Sequence, residues 1–263
     1  MQTQRLLLFA LAPAILVGLG GLGACSDDAN TKHDAAVIDA SPDSKAIDAG
    51  LCTPQSATAS GQLFFIGEYV DWTGDDAVFC GILGATWQVH GDPTRKETSP
   101  APNGRVTLCL ADAPTTQIDI TPPVNDSECT DPQSPYTIPG VAIITKDALI
   151  TGDLFSARSI TTAELATFFT AQALGTIDPT KAQVFVHEEG TAPRAVAITA
   201  THAAAQAFDG ATWAAGTTGK NVYFPNVDVT TATTDVSVTG GAIGTTTVPL
   251  TAGTFTYLTV VSN

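Results

Sequence analysis

Basic residues are scarce in this chain: 11 Lys and Arg stand against 26 Asp and Glu in 263 residues, a formal net charge of −15. DNA, RNA and anionic lipid headgroups are held by clustered Lys and Arg, so the charge balance excludes all three as partners. Charged residues of either sign make up only 14 % of the chain, while apolar residues make up 44 %. That is enough to build a core, and it excludes wholesale disorder. The apolar run from Leu6 to Val17 falls short of the ~20 residues that span a bilayer comfortably. There is no Cys-x-x-Cys for zinc or thioredoxin-like redox chemistry, and no Gly-x-Ser-x-Gly elbow for a serine nucleophile. A single Met, 23 Gly and 16 Pro, together with many Thr, favour a β-rich extracytoplasmic protein. The length allows one large or two modest domains of about 100–200 residues each.

The first fifty residues read as an address. Arg5 gives a short positive start, Leu6 to Val17 is apolar, and Gly18 to Ala24 is rich in small residues, which is the layout of a secretory signal. Leu22-Gly23-Ala24-Cys25 resembles the lipobox of bacterial lipoproteins. The resemblance implies that residues 1–24 are removed and that Cys25 carries the lipid, anchoring the protein to the membrane without spanning it. Ser26 stands where an Asp would retain such a protein in the inner membrane, so the resemblance implies the outer membrane of a diderm bacterium. Residues 25–51 follow as an acidic tether with Asp27, Asp28, Asp34, Asp39, Asp43 and Asp48 and no aromatic residue. Burial there cannot offset the entropy of ordering, and like charges stretch such a linker.

Apart from Cys25, four cysteines remain: Cys52, Cys80, Cys109 and Cys129. In an exported chain an even number predicts two disulfides, with three connectivities open. All four lie before residue 130, so the second half must hold together without staples.

Short β-favouring runs separated by Gly, Pro, Asn and Asp fall at Gln62–Ile66, Ala77–Ile82, Ala85–His90, Arg105–Leu110, Gln117–Thr121 and Val141–Thr145, the spacing of an all-β sandwich. Val106, Leu108 and Leu110 alternate with Thr107 and Cys109, and Asn103-Gly104 predicts a turn before them. Ser159–Leu174 breaks the pattern. Thr161 and Glu164 make a capping-box signature, Leu165, Phe168, Phe169 and Ala173 a helical stripe, and Gly175 a stop. Strands return at Gln183–His187, Ala195–Thr201, Asn221–Phe224, Asp235–Val238, Thr246–Leu250 and Thr254–Val261. The last of these is apolar on both faces, as expected of a central strand.

Gly84-Ala85-Thr86-Trp87-Gln88-Val89, followed by Asn103-Gly104-Arg105-Val106-Thr107-Leu108, resembles a carboxypeptidase regulatory-like domain, a family of transthyretin-like fold. Trp87 replaces the family's first Val and Val106 its aromatic. Ala182–Gly190, Ala195–Thr199 and Gly219–Val227 resemble the same family more loosely, as a second copy. The resemblance implies β-sandwich modules for spacing, stabilising or binding, and it carries over no catalytic residue.

The expected architecture is therefore all-β: two β-sandwich (immunoglobulin- or transthyretin-like) domains joined by a segment with one short amphipathic helix. The boundaries are 52–155 for the first sandwich, 156–177 for the helical linker and 178–263 for the second sandwich. Chemistry-bearing groups are few. Asp71, Asp75 and Asp76 surround a turn with Trp72 and form a weak calcium candidate, without EF-hand spacing or a distal bidentate Glu. His187 and Glu189 share one strand face, with Glu188 opposite; two ligands do not complete a zinc site. Gly216–Asn221 departs from the phosphate-loop pattern, because Ala214 stands at its first Gly and Asn221 at its Ser/Thr. Trp72, Trp87 and Trp213 suit either sugar platforms or core anchors. The reading expects a non-catalytic envelope module without cofactor, bound to the membrane by its lipid and to an unidentified envelope protein or polysaccharide. The alternative is a carbohydrate-binding protein or hydrolase using the acidic and Trp groups.

Overall fold

The computed structural model of the chain describes residues 52–71, 81–100, 104–123, 137–150, 154–189, 192–239 and 245–261. The signal, the lipidation residue Cys25 and the tether lie outside this set, as do Cys80, Cys129, Trp72, Asp75, Asp76, Asn103 and most of the Ala77–Ile82 run. In chain order the described elements begin with α1 (Pro54–Ala59), β1 (Gln62–Asp71), β2 (Thr86–Val89), β3 (Lys96–Thr98), β4 (Arg105–Ala111), β5 (Thr115–Thr121), β6 (Gly140–Thr145), α2 (Lys146–Ile150) and β7 (Phe155–Ser159). They continue with α3 (Thr162–Ala171), β8 (Ala182–Glu189), β9 (Arg194–Ile198), β10 (Gln206–Phe208), β11 (Trp213–Ala215), β12 (Thr218–Gly219) and β13 (Asn221–Val227). The last three are β14 (Thr233–Val238), β15 (Thr246–Pro249) and β16 (Phe255–Val261).

Three sheets result: β4-β1-β7, the nine-stranded β11-β10-β13-β8-β16-β6-β5-β2-β3, and β12-β9-β14-β15. The nine-stranded sheet is the middle layer. β16 lies between β6 and β8 and runs parallel to both, with Tyr257 opposite Ala142 and Phe185. Its alternation explains the position: Phe255 and Tyr257 join one core while Leu258 and Val260 join the other, so both faces must be covered.

The first core lies between the nine-stranded sheet and the β4-β1-β7 sheet. Val106, Leu108 and Leu110 of β4, Phe65 and Tyr69 of β1 and Phe155 of β7 meet Trp87, Ile118, Ile120, Phe185, Tyr223, Phe255 and Tyr257. Trp87 is fully buried, edge-on to Tyr69 at 6.5 Å and to Phe155 at 6.4 Å. Gly67 is required by this packing, because a Cβ there would sit 2.7 Å from the Phe65 ring and 2.8 Å from that of Trp87. Gly140 similarly makes room for the Tyr257 ring, which a Cβ would meet at 2.7 Å. α3 adds Leu165 and Phe169 to this core. It starts in the expected capping box, with Thr161 Oγ1 accepting from Glu164 N and the Glu164 carboxylate accepting from Thr161 N. The second core lies on the opposite face of the same sheet, where Val184, Val186, Val222, Phe224, Leu258 and Val260 pack against Val196, Val236, Val238, Val248 and Leu250.

The all-β expectation holds. Across the expected boundary at residues 155–178, β6 pairs with β16, and the first core draws Phe185, Tyr223, Phe255 and Tyr257 from beyond residue 178. The two halves are thus joined through one sheet and one core, and not by a linker alone. Residues 156–177 hold most of β7, parallel to β1, as well as α3. The two strands that carry the carboxypeptidase regulatory-like resemblance lie in different sheets, β2 in the nine-stranded one and β4 in the three-stranded one. Where the edges of these sheets approach, the Glu97 carboxylate of β3 accepts a 2.6 Å hydrogen bond from Thr107 N of β4. Partial burial raises the Glu97 pKa.

Candidate functional site

Of the four cysteines expected to pair, Cys52 and Cys109 form a disulfide. It fastens the start of the described chain to β4, with α1 packed between on β1 through buried Ala57. Cys80 and Cys129 lie outside the described residues.

The proposed sugar platforms do not assemble as such. Trp87 is a core anchor, and Trp213 is half-buried against Phe168, Phe208 and Phe185, at 5.4, 5.4 and 6.3 Å between ring centres. Of the acidic turn only the backbone of Asp71 is described, as the end of β1. The His187–Glu189 strand end is built differently from a metal centre. His187 Nδ1 is 2.6 Å from Asn221 Oδ1, which fixes the ring as a donor at that nitrogen. Glu188, buried on the other face, accepts a 2.7 Å hydrogen bond from Arg194 N and lies 3.8 Å from Arg194 Nε. No group of three His, Cys, Asp or Glu side chains that could hold a metal ion occurs among the described residues. Gly216–Asn221 is no free loop either. Gly219 pairs with Arg194 in β12, and a Cβ on it would lie 2.5 Å from Phe208 O.

Buried hydroxyls in the first core are structural. Tyr69 donates to Ser159 Oγ at 2.6 Å, and Tyr223 donates to Gln183 Oε1. Burial pushes the pKa of both phenols up, so neither supplies a base.

A better-formed site lies at one end of the four-stranded sheet, where residues 199–201 after β9 and residues 228–233, which lead into β14 and include its first residue, enclose a depression of about 300 Å³. Its walls are tied together. Asp228 N donates to Thr201 O at 2.8 Å, Ala200 N to Thr234 Oγ1 at 2.9 Å, and Asp235 N to Thr199 Oγ1 at 3.1 Å. Thr231 Oγ1 donates to Thr233 O at 2.9 Å. Asp228, the only charged lining residue among the described residues, accepts from Thr230 N at 2.9 Å and pairs with Lys181 Nζ at 3.1 Å. The Thr230 amide first, and then Lys181, hold the Asp228 carboxyl below the ordinary carboxylate value. The arrangement is a preorganised, hydroxyl-lined dish whose one ionic charge is already compensated. The sequence gives no cue to it: its two walls lie about 27 residues apart, and threonine carries no spacing motif.

No protein-family model and no curated protein matches the sequence. Two solved structures bear a distant likeness. The Bacillus anthracis TIE protein aligns over 77 % of this chain at 10 % identity with a TM-score of 0.23. The present chain spans 33 % of that protein's length. GBS52, the minor pilin of the gram-positive pathogen Streptococcus agalactiae, aligns over 76 % of this chain and 95 % of its own at 8 % identity, with a TM-score of 0.21. The all-β assignment rests on this chain's own strands. No helix among the described residues is long and apolar enough to cross a membrane.

Proposed function

We propose that the chain is a lipid-anchored envelope protein whose folded part acts as a structural or interaction module and not as an enzyme. Residues 1–24 direct export, Cys25 carries the acyl chains, and residues 25–51 hold the fold away from an outer-membrane surface. The observation that carries this reading is the Cys52–Cys109 disulfide, placed where the tether meets the fold. Such bonds persist in oxidising compartments and are rare in the cytosol. Cys80 and Cys129 are then left to form the second disulfide. The rest of the reading is supported by how Glu97, His187, Glu188 and Asp228 are engaged, by the Thr107 amide, Asn221, Arg194 and Lys181 respectively. The net charge of −15 leaves envelope proteins and polysaccharides, and not nucleic acids, as partners.

Two or three acyl chains at about 0.8 kcal/mol per buried methylene make a stable anchor. Cys25→Ser is expected to move the protein from the membrane fraction to the soluble fraction after a high-salt carbonate wash. A variant that stays in the membrane fraction refutes the anchor.

A further inference from the structure

We propose that the dish formed by residues 199–201 and 228–233 is a binding subsite for a neutral sugar unit. This rests on the reading of the fold as an interaction module and names the ligand class. A volume of about 300 Å³ sits at the lower end of the ~300–1,000 Å³ in which proteins hold small ligands, enough for a short glycan segment.

The lining decides the chemistry by exclusion. Asp228 is paired with Lys181 and already accepts the Thr230 amide, so the pair leaves no free negative charge for a metal ion or an ammonium group. Lys181 is engaged in the same pair, so it leaves no free positive charge for an anion. Four threonines line the dish beside Thr199. Each offers a hydroxyl that both donates and accepts and a methyl group that can lie against a C–H face. Thr199 and Thr231 spend their hydroxyls on the frame, on Asp235 N and Thr233 O respectively. The hydroxyls of Thr201 and Thr233 make no hydrogen bond to another described residue, and both side chains are exposed. They stand on opposite walls of a frame that is already ordered, so a ligand bearing several neutral hydroxyls can engage both without loop rearrangement. An apolar ligand would leave these hydroxyls unpaired, and a charged one would meet no free countercharge.

The test uses the full chain in detergent, with maltotriose, cellotriose and tri-N-acetylchitotriose as neutral probes and trigalacturonate as the anionic one. Saturation-transfer NMR is expected to show binding of at least one neutral probe, and not of trigalacturonate. Amide shifts are expected to concentrate at residues 199–201 and 228–233. Replacing both hydroxyls (Thr201→Val with Thr233→Val) should weaken that binding at least tenfold, while Thr218→Val, in β12 beside the other end of β9, leaves it unchanged. Absence of transfer to all three neutral probes, preference for the anionic probe, or amide shifts elsewhere overturns the proposal. The shift map is read on the unsubstituted chain, so a double variant that does not fold leaves the test intact. Membrane fractionation of Cys25→Ser does not depend on the dish; binding by a chain that is not anchored would refute the anchor alone.

Discussion

Residues 178–263, produced as a separate chain, should not fold cooperatively, although they contain a whole expected domain with its own strands. The reason lies on the face of the sheet that they would leave uncovered. Phe185, Tyr223, Phe255 and Tyr257 are each no more than 1 % exposed, in a core whose other wall comes from β1, β4 and β7. Aromatic side chains bury ~150–250 Å² each, so the four together bury roughly 600–1,000 Å². If half of that area returned to water, the loss at ~25 cal/mol per Å² would be about 8–12 kcal/mol. Compact denatured states make this an upper figure, yet it matches the ~5–15 kcal/mol by which whole domains are stable. Removing β6 also opens one side of β16 from Phe255 to Leu258. The assay is denaturant unfolding of the fragment followed by circular dichroism, with amide dispersion by NMR, beside the intact chain. A sigmoidal transition and dispersed amides in the fragment would refute the shared-core argument. The intact chain should show one transition and not two.

Two further outcomes follow from the same contacts. The Cys52–Cys109 bond closes a loop with a sequence separation of 57, worth about 4 kcal/mol in the chain-entropy account; replacing both residues by Ala should lower the denaturant midpoint of the whole chain, and an unchanged midpoint would show that the bond constrains nothing. The second outcome concerns acid. Hydrogen bonds from Thr94 to Asp92, from Thr180 to Asp178, from the Thr212 amide to Asp209 and from the Thr230 amide to Asp228 all lower the carboxyl pKa from 3.8. A folded pKa below the unfolded one gives stability that is present above the ordinary value and lost as pH falls through the depressed one. Glu97, with its raised pKa, acts in the opposite sense, alone among the described carboxylates whose pKa departs from the ordinary value. Tm should therefore hold from neutral pH down to about 4 and fall below it; a Tm that rises through that window would contradict the assignment.

Elements with a complete local signature were legible in the sequence. β4 shows strict alternation in Val106, Leu108 and Leu110, α3 begins in the Thr161–Glu164 box, and β16 announces two buried faces by carrying apolar residues on both. The position of β16 was not legible, because parallel pairing with β6 joins residues about 115 apart and leaves no local pattern. The same limit hid the shared core: the cysteine asymmetry pointed to two domains, while the covering of Tyr257 by the first half is a tertiary fact. β10, β11 and β12 have two or three residues each, too few to display a period of two. β7, Phe-Ser-Ala-Arg-Ser, is too polar to read as a strand, though all but Ser156 are buried. For the site, the sequence drew attention to Trp and Asp as chemistry-bearing types, whereas the dish is made from threonines that become a set only when β9 and β14 pair.

The sheet edges bear on how such a module can meet a partner. A common route is strand addition to an open edge, which needs a run of unpaired amides and carbonyls. The edge strands of the nine- and four-stranded sheets are β3, β11, β12 and β15, of three, three, two and four residues. Short edges are one way proteins avoid edge-to-edge association. β4, at seven residues, is a longer edge, but its Thr107 amide is taken by Glu97 and its Cys109 is tied to Cys52. The five-residue edge β7 is buried except at Ser156. Among the described residues, then, the long edge β4 is interrupted at Thr107, and the other edges are five residues or shorter. The proposed sugar subsite needs no such edge, because it would engage its ligand through the Thr201 and Thr233 hydroxyls at the ends of β9 and β14.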